Sequence, residues 1–494
     1  MTTMLNGLSD IRRHFYRSAV PTYFVSATPF NLLGMDEWVK DFTFISYIDC
    51  FDGAHPHLFV PSEREHPVFE SIEEINNYLL SHPEVEELIA SNAPEGGDGL
   101  RGNVVFLFFD EETEAICKKL GLDIWFPSAE LRTRVDNKLM TTRIGNEAGV
   151  NSVPNALAPV KSWDDLCAIA KEHSLSDELV VQTAFGDSGH TTFFIANETE
   201  YKKYAKEIEA EDEVKVMKRV RCRGSALEAC VTKEGTIVGP LMTELVGFPE
   251  LTPYKGGWCG NEVFADAFPQ EMRELARQSA FKIGEALGKE GYRGYFEVDF
   301  LSDLDTGDVY LGEINPRITG ASSMTNLASF AHADAPLFLF HLLEFSDIPF
   351  KLDIKDINLR WSDADNIDSW SQLVIKHTGE DVTQITAAPA SGVWELSADG
   401  VATFVRAQTH RRTVSKENRA FFLRFAKAGD WFYEGADLGI LVVQGRLMTE
   451  DFELTERAKS WINAIRAHYS TGESSVAQVA QAEKLAEVAH FKFL

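Results

Sequence analysis

The chain is predicted to combine α/β and α+β architecture, with a helix-covered parallel sheet first and antiparallel regions after it. Three observations carry this reading. Apolar runs at Tyr23-Phe-Val-Ser-Ala27, Phe42-Thr-Phe-Ile-Ser-Tyr-Ile48 and Val104-Val-Phe-Leu-Phe-Phe109 have the continuous hydrophobicity of strands buried on both faces. Gly291 to Asn326 holds two alternating segments around Asp305-Thr-Gly-Asp308, which is hairpin turn chemistry. From about Leu352 short strand candidates recur, and the chain closes on helical patterns.

Size and charge narrow the function classes. With 494 residues, three or so domains are expected, divided as 1–130, 131–350 and 351–494. The composition, 44% hydrophobic and 25% charged, is that of an ordinary globular protein. A net charge of -29 would repel a nucleic acid, so no such partner is expected. The six cysteines show no C-x-x-C spacing and read as reduced thiols. Met1 to Ser18 lacks the apolar core of a signal peptide, and no apolar run approaches the roughly 20 residues that span a bilayer. A cytoplasmic location without a membrane partner is the expectation.

In chain order, Asp110-Glu-Glu112 suits a helix N-terminus, because acidic side chains oppose the positive end of the dipole. An apolar-periodic helix to Leu120 and a strand at Ile124-Trp-Phe126 follow, giving the strand, helix, strand order of a parallel sheet. No G-x-G-x-x-G is present here, so a dinucleotide site is not expected, and His55-Pro-His57 lacks a third ligand for a metal. Residues Asp136 to Arg143 open a helix that ends near Gly149, ahead of Pro154. Leu179 to Ile195 reads as strand, small-residue loop, strand; Gly186, Ser188 and Gly189 let backbone N–H groups approach a phosphate. Glu211 to Val220 begins acidic and becomes a strand, and Ala226 to Val231 is the next. Lys218, Arg219, Arg221 and Arg223 between them either balance ligand charge or form a solvated strand and turn. The aromatic, glycine-rich stretch from Gly239 to Phe264 reads as an irregular loop suited to substrate contacts, with Glu244, Lys255 and Trp258 as candidates. Pro269 to Gly288 is an amphipathic helix with Met272, Leu275, Ala276, Ser279, Ile283, Ala286 and Leu287 on one side.

The hairpin is the centre of the chain. Glu297 and Asp299 alternate with Phe296, Val298 and Phe300, while Val309, Leu311, Glu313, Asn315 and Arg317 share one parity of the second strand. Folding back would bring Asp299 and Glu313 together. Two carboxylates with the amide oxygen of Asn315 make an all-oxygen site suited to Mg2+, which takes few protein ligands and shares its other positions with phosphates and water. The string Glu313-Ile-Asn-Pro-Arg317 resembles the metal-binding end of the ATP-grasp superfamily, where an E-x-N-x-R strand follows a hairpin bearing a second acidic residue.

That resemblance, which covers about residues 130 to 330, implies the rest of the site. The fold would be ATP-grasp, with an N-terminal parallel-sheet α/β domain before it and a small C-terminal α+β domain after it. ATP and Mg2+ would be bound, with Mn2+ an acceptable replacement. Asp299, Glu313 and Asn315 would hold the metal, with Asp299 preferred by its Val298-Asp-Phe300 setting. Glu297, on the same strand face, stays open as a rival ligand or a second catalytic carboxylate. Arg317 would stabilise the transferring phosphoryl group. Lys138 would reach a phosphate, the loop with Gly186, Ser188 and Gly189 would close over the triphosphate, and Glu228 resembles the acidic residue on the strand after the hinge. The backbone from Val216 through Lys218 and Arg219 to Val220 would bind the adenine edge. Gln182 is a departure: it stands where the family commonly has a second phosphate-binding lysine, and an amide brings no charge.

Past Arg317 the chain reads Ile-Thr-Gly-Ala-Ser-Ser-Met-Thr-Asn326, without the glutamate base or the biotinyl lysine setting of a biotin carboxylase. The expected activity is therefore the other chemistry of the superfamily. ATP would phosphorylate a carboxylate, and an amine would attack the acyl phosphate to give an amide, ADP and phosphate. The partners are then a small carboxylate and an amine, with an amino acid or peptide expected, and a homodimer among the allowed assemblies. Transfer to a carrier-protein thiol and a non-catalytic nucleotide-binding role are the alternatives. In the last region, strands are expected at Trp394-Glu-Leu396, Val401 to Val405, Trp431-Phe-Tyr433 and Leu438 to Gly445. A helix from Leu454 to about Tyr469 and a helical tail from Glu473 to Lys492 complete it.

Overall fold

The computed structural model describes residues 4–62, 69–95, 99–186, 191–327, 335–409 and 414–472. The first sheet is parallel throughout, as the apolar runs predict. Its strands β1 (Thr22–Ser26), β2 (Phe42–Ser46), β3 (Leu58–Phe59), β4 (Gly102–Phe106) and β5 (Leu122–Ile124) lie in the order β3-β2-β1-β4-β5. Among the helices around it are α1 (Ile72–Leu80), capped by the Ser71 hydroxyl, and α2 (Glu111–Leu120), which starts on an Asp110–Thr113 capping box.

Two helices then abut. α3 (Ala129–Asp136) stops at Asn137, whose side chain accepts from the backbone N–H of Leu139 and Met140 and so starts α4 (Lys138–Ala148). Asp136 thus closes one helix instead of opening the next, and Asn137 acts as the cap. Gly149, at φ +64°, ends α4 where it was expected.

A four-stranded antiparallel sheet follows, made of β6 (Asn155–Ala158), β7 (Leu179–Gln182), β8 (Thr192–Ile195) and β9 (Val214–Lys218) in the order β6-β9-β7-β8. Val214 and Val216 of β9 face its apolar core, so Lys215 and Met217 face away from it.

The largest sheet has ten strands: β10 (Cys222–Thr232), β11 (Gly235–Val246), β12 (Trp258–Val263), β13 (Gly294–Asp303), β14 (Val309–Asn315), β15 (Trp370–Lys376), β16 (Gly392–Leu396), β17 (Ala402–Arg406), β18 (Arg419–Arg424) and β19 (Asp437–Gln444). Their order is β14-β13-β10-β11-β12-β15-β19-β18-β16-β17. The β12–β15 pairing joins the central strands to the C-terminal ones. The strands β15 and β18 go beyond those the sequence patterns predict, and β11 and β12 pair within the stretch from Gly239 to Phe264 expected to be an irregular loop, leaving only the segment between them irregular. The helix α5 (Gln270–Lys289) packs Met272, Ala276, Ile283 and Leu287 mainly against β10 and β11, but Leu275, expected on that face, is 42% exposed. The helix α6 (Leu337–Phe345) is buried as expected, and a final helix α7 (Glu456–Arg466) covers the C-terminal strands. The tail from Glu473 lies outside the described residues. Among the described residues no helix is long and apolar enough to cross a membrane, and none of the six cysteines is in a disulfide.

The hairpin corrects one expectation. β13 and β14 pair antiparallel with Glu297 opposite Asn315 and Asp299 opposite Glu313, but the register slips between Asp299 and Phe300. Gly312 is the extra residue of that bulge, and a Cβ there would lie 2.9 Å from the carbonyl oxygen of Asp299. Beyond the bulge the faces exchange. Val309 and Leu311 join Ile314 in the apolar core under α5, rather than sharing the face of Glu313.

Candidate active site

A cavity of about 720 Å³ opens between the four-stranded sheet, the hairpin and the N-terminal sheet. Three elements converge on it. The hairpin contributes Glu297 and Asp299 from β13 and Glu313 and Asn315 from β14, with Arg317 just beyond; the start of α4 contributes Lys138; β7, β9 and the loop after β7 contribute Gln182, Lys215, Met217, Phe185 and Gly186.

The hairpin carboxylates are tightly tied together. The Asn315 side-chain amide donates to Asp299 at 2.9 Å and to Glu297 at 3.3 Å, while its oxygen accepts from Arg317 Nη2 at 2.7 Å. Burial and neighbouring carboxylates push both Glu297 and Asp299 well above the usual carboxylate range. Glu313 is held below it: burial alone would raise it, but the Lys138 ammonium, 2.8 Å away, outweighs that. Glu244 on β11 also lines the cavity, and burial with the Glu313 charge pushes it up to about 7.

So dense a set of carboxylates favours a cation. Among the described residues no three His, Cys, Asp or Glu side chains converge on a metal position. The donor set Asp299, Glu313 and Asn315 does fit Mg2+, which is held by one or two carboxylates plus substrate phosphates rather than by a full protein cage.

Arg317 lies 3.8 Å from Asp136 through Nε, and its guanidinium rests 4.5 Å over the Phe108 ring. Both contacts fix its plane toward the cavity. Trp258, whose indole N–H donates to Asn261 at 3.2 Å, packs on Gly320 and shares the wall with Glu244. Lys255, the third candidate from that stretch, does not line the cavity. The wall also includes Lys376, ion-paired with Asp437, and Glu70 to Glu73 at the start of α1.

Other candidates sit elsewhere. Lys218 and Arg219 are exposed and, with Val220, stand off the cavity; the backbone N–H of Lys218 donates to the Pro154 carbonyl and that of Arg219 to the Glu178 carbonyl. Arg219 pairs with Glu178, Arg221 with Asp305, and Arg223 donates to the Asp451 carbonyl, so these three arginines are engaged by partners away from the cavity. Ser188 and Gly189 lie outside the described residues. Glu228 is fully buried behind the wall, opposite Glu297 on the neighbouring strand. Its carboxylate accepts from the hydroxyls of Tyr295, Thr319, Ser322 and Thr325, and thereby anchors the loop after Arg317. Burial nevertheless pushes it up to about 6.

Sequence reasoning missed Lys215. Its signal was present: a lysine at alternate parity between Val214 and Val216 must leave the core that the valines enter.

No family model matches the chain. It is 25% identical over 230 residues to a D-alanine–D-alanine ligase of Treponema denticola, a match covering 44% of this chain and 61% of that ligase. The chain thus spans about three-fifths of the length of that curated relative. Among solved structures it is similar to a biotin carboxylase from Campylobacter jejuni in complex with β-γ-ATP, with a TM-score of 0.61 and 12% identity over 92% of each chain. It is also similar to an ADP complex of an N5-carboxyaminoimidazole ribonucleotide synthetase, with a TM-score of 0.53 and 13% identity over 95% of this chain and 97% of that one. These likenesses bear out the fold expected from the hairpin and its flanks.

Proposed function

We propose that this chain, which belongs to the ATP-grasp superfamily, is an ADP-forming ligase that activates a carboxylate as an acyl phosphate and joins it to an amine. The observation that carries this is the facing pair Asp299 and Glu313, with Asn315 and Arg317 beside them and Lys138 reaching in from α4.

Each residue then has a task. Lys138 and the backbone around Gly186 would hold the phosphates, and Asp299, Glu313 and Asn315 would hold Mg2+, with Glu297 as a neighbouring carboxylate. Mg2+ there would neutralise phosphate charge and orient the terminal phosphoryl group. Arg317 would stabilise charge on that group as it passes to the carboxylate, and on the acyl phosphate that results. The acceptor amine would approach from the side of Glu244 and Trp258. A carboxylate raised toward neutrality there is suited to take the proton the amine loses on attacking the acyl carbon, while phosphate leaves.

The reading is tested by measuring ADP release from ATP with mixtures of amino acids and peptides. ADP formed only with both a carboxylate and an amine supports it. ADP that requires a carrier thiol would replace the amine as acceptor, and no ADP with any acceptor would make the chain a nucleotide-binding protein without turnover.

A further inference from the structure

We infer that Lys215 is the second cation on the nucleotide's phosphates, standing in from the neighbouring strand for the charge that Gln182 lacks; this rests on the nucleotide reading above. In the antiparallel pair β7–β9, Lys215 and Gln182 are direct partners. Directly opposed side chains in such a pair leave the same face with Cβ atoms about 5 Å apart. Both line the cavity. A lysine at 215 can therefore deliver its ammonium to the region that a lysine at 182 would serve.

The cost of its position points to a ligand. Lys215 is 1% exposed, yet among the described residues its ammonium has neither a hydrogen bond nor an ion pair. The other cations of the cavity wall are engaged: Lys138 with Glu313, Arg317 with Asn315 and Asp136, Lys376 with Asp437. A buried unpaired charge opposes folding, so its retention in a fold calls for something else to satisfy it. The Glu313 carboxylate favours the Lys215 ammonium from a distance but is ion-paired with Lys138, whose like charge acts against it, so the two lysines share one anion at this end of the cavity. The opposite wall carries Glu244, Glu297 and Asp299. A polyanion belongs at the lysine end.

The test is isothermal titration of the full chain with Mg-ADP and with adenosine, comparing wild type, Lys215→Met and the Gln182→Lys/Lys215→Met pair, with ligand-free melting curves for each. Lys215→Met is expected to weaken ADP binding about 10- to 100-fold, the scale of one charge-assisted bond, while adenosine binding is unchanged. Its ligand-free melting temperature should hold or rise. The paired variant should recover ADP binding to within about threefold of wild type. Unchanged ADP affinity in Lys215→Met overturns this inference and leaves the nucleotide reading intact. Wild type that binds neither ADP nor ATP overturns both. Should both Lys215→Met and Lys215→Gln fail to fold, the inference is also wrong, because the ammonium would then be a prop of the free structure.

Discussion

The Lys138 ammonium sits 2.8 Å from the Glu313 carboxylate, so the cation expected on a phosphate and an anion expected on a metal neutralise each other across the cavity floor. The pair is unequal in exposure, with side chains 8% and 32% exposed. Binding a nucleotide with its metal would give each a new partner of the same sign as the old one. The two residues are thus held ready without a net charge to bury.

Glu313→Gln should destabilise the ligand-free protein by on the order of 1–3 kcal/mol, because Lys138 keeps its charge in a largely buried position and loses its partner. Asp299→Asn should do the reverse, since it removes one of several buried like charges. Thermal melts without nucleotide should therefore move in opposite directions, while both variants lose ATP turnover. Shifts in the same direction would count against the electrostatic account of the hairpin.

Arg317→Ala should keep nucleotide binding and lose about 100-fold or more in turnover, the scale of one donor used in the transition state. Single-turnover ADP formation beside equilibrium nucleotide binding measures both. Wild-type turnover in this variant would remove Arg317 from its assigned role.

Glu228→Ala should lower stability by about 3–5 kcal/mol, because four hydroxyls that now donate to one buried carboxylate would be left together without it. Urea unfolding checks this. A loss below about 1 kcal/mol, the scale of a single net hydrogen bond, would mean that the loop after Arg317 is anchored by other contacts.

His341 should make the fold acid-sensitive. Its Nδ1 accepts from the Tyr295 N–H at 2.9 Å and its Nε2 lies 2.6 Å from the Trp125 carbonyl, so the neutral ring is satisfied on both sides. Burial among aromatic rings lowers its pKa from 6.5 to about 3. Between those values the unfolded chain binds one more proton than the folded one, so this contribution to stability is lost as pH falls from 6.5 toward 3, by about 1.4 kcal/mol per unit. The raised carboxylates Glu228, Glu297 and Asp299 act in the opposite sense, because the folded state holds their protons more tightly. Comparing urea midpoints of wild type and His341→Gln from pH 7 to pH 4 isolates the histidine: the wild-type profile should fall more steeply. Parallel profiles would refute the assignment.

Much of the centre is legible in the sequence. Alternation, the Asp305 to Asp308 turn and Glu313-Ile-Asn-Pro-Arg317 place two carboxylates face to face, and Gly149 marks the end of the helix that carries Lys138. Each of these is a local pattern, written in residues a few positions apart. The basic run at Lys218 to Arg223 is equally visible, but its partners Glu178, Asp305 and Asp451 are distant in sequence, so its role is open until they are located.

What the sequence by itself determined is the set of chemical groups and the periodicities that sort them to one face or another. Only the tertiary structure decided which faces meet. A one-residue bulge at Gly312 sends Leu311 into the core, and a cross-strand register sets Lys215 beside Gln182. The folded chain also closes four hydroxyls on Glu228 and joins β12 to β15 across more than a hundred residues of chain. The reason is physical: strand register and side-chain networks are fixed by contacts between segments far apart along the chain, and each depends on packing that no single segment encodes.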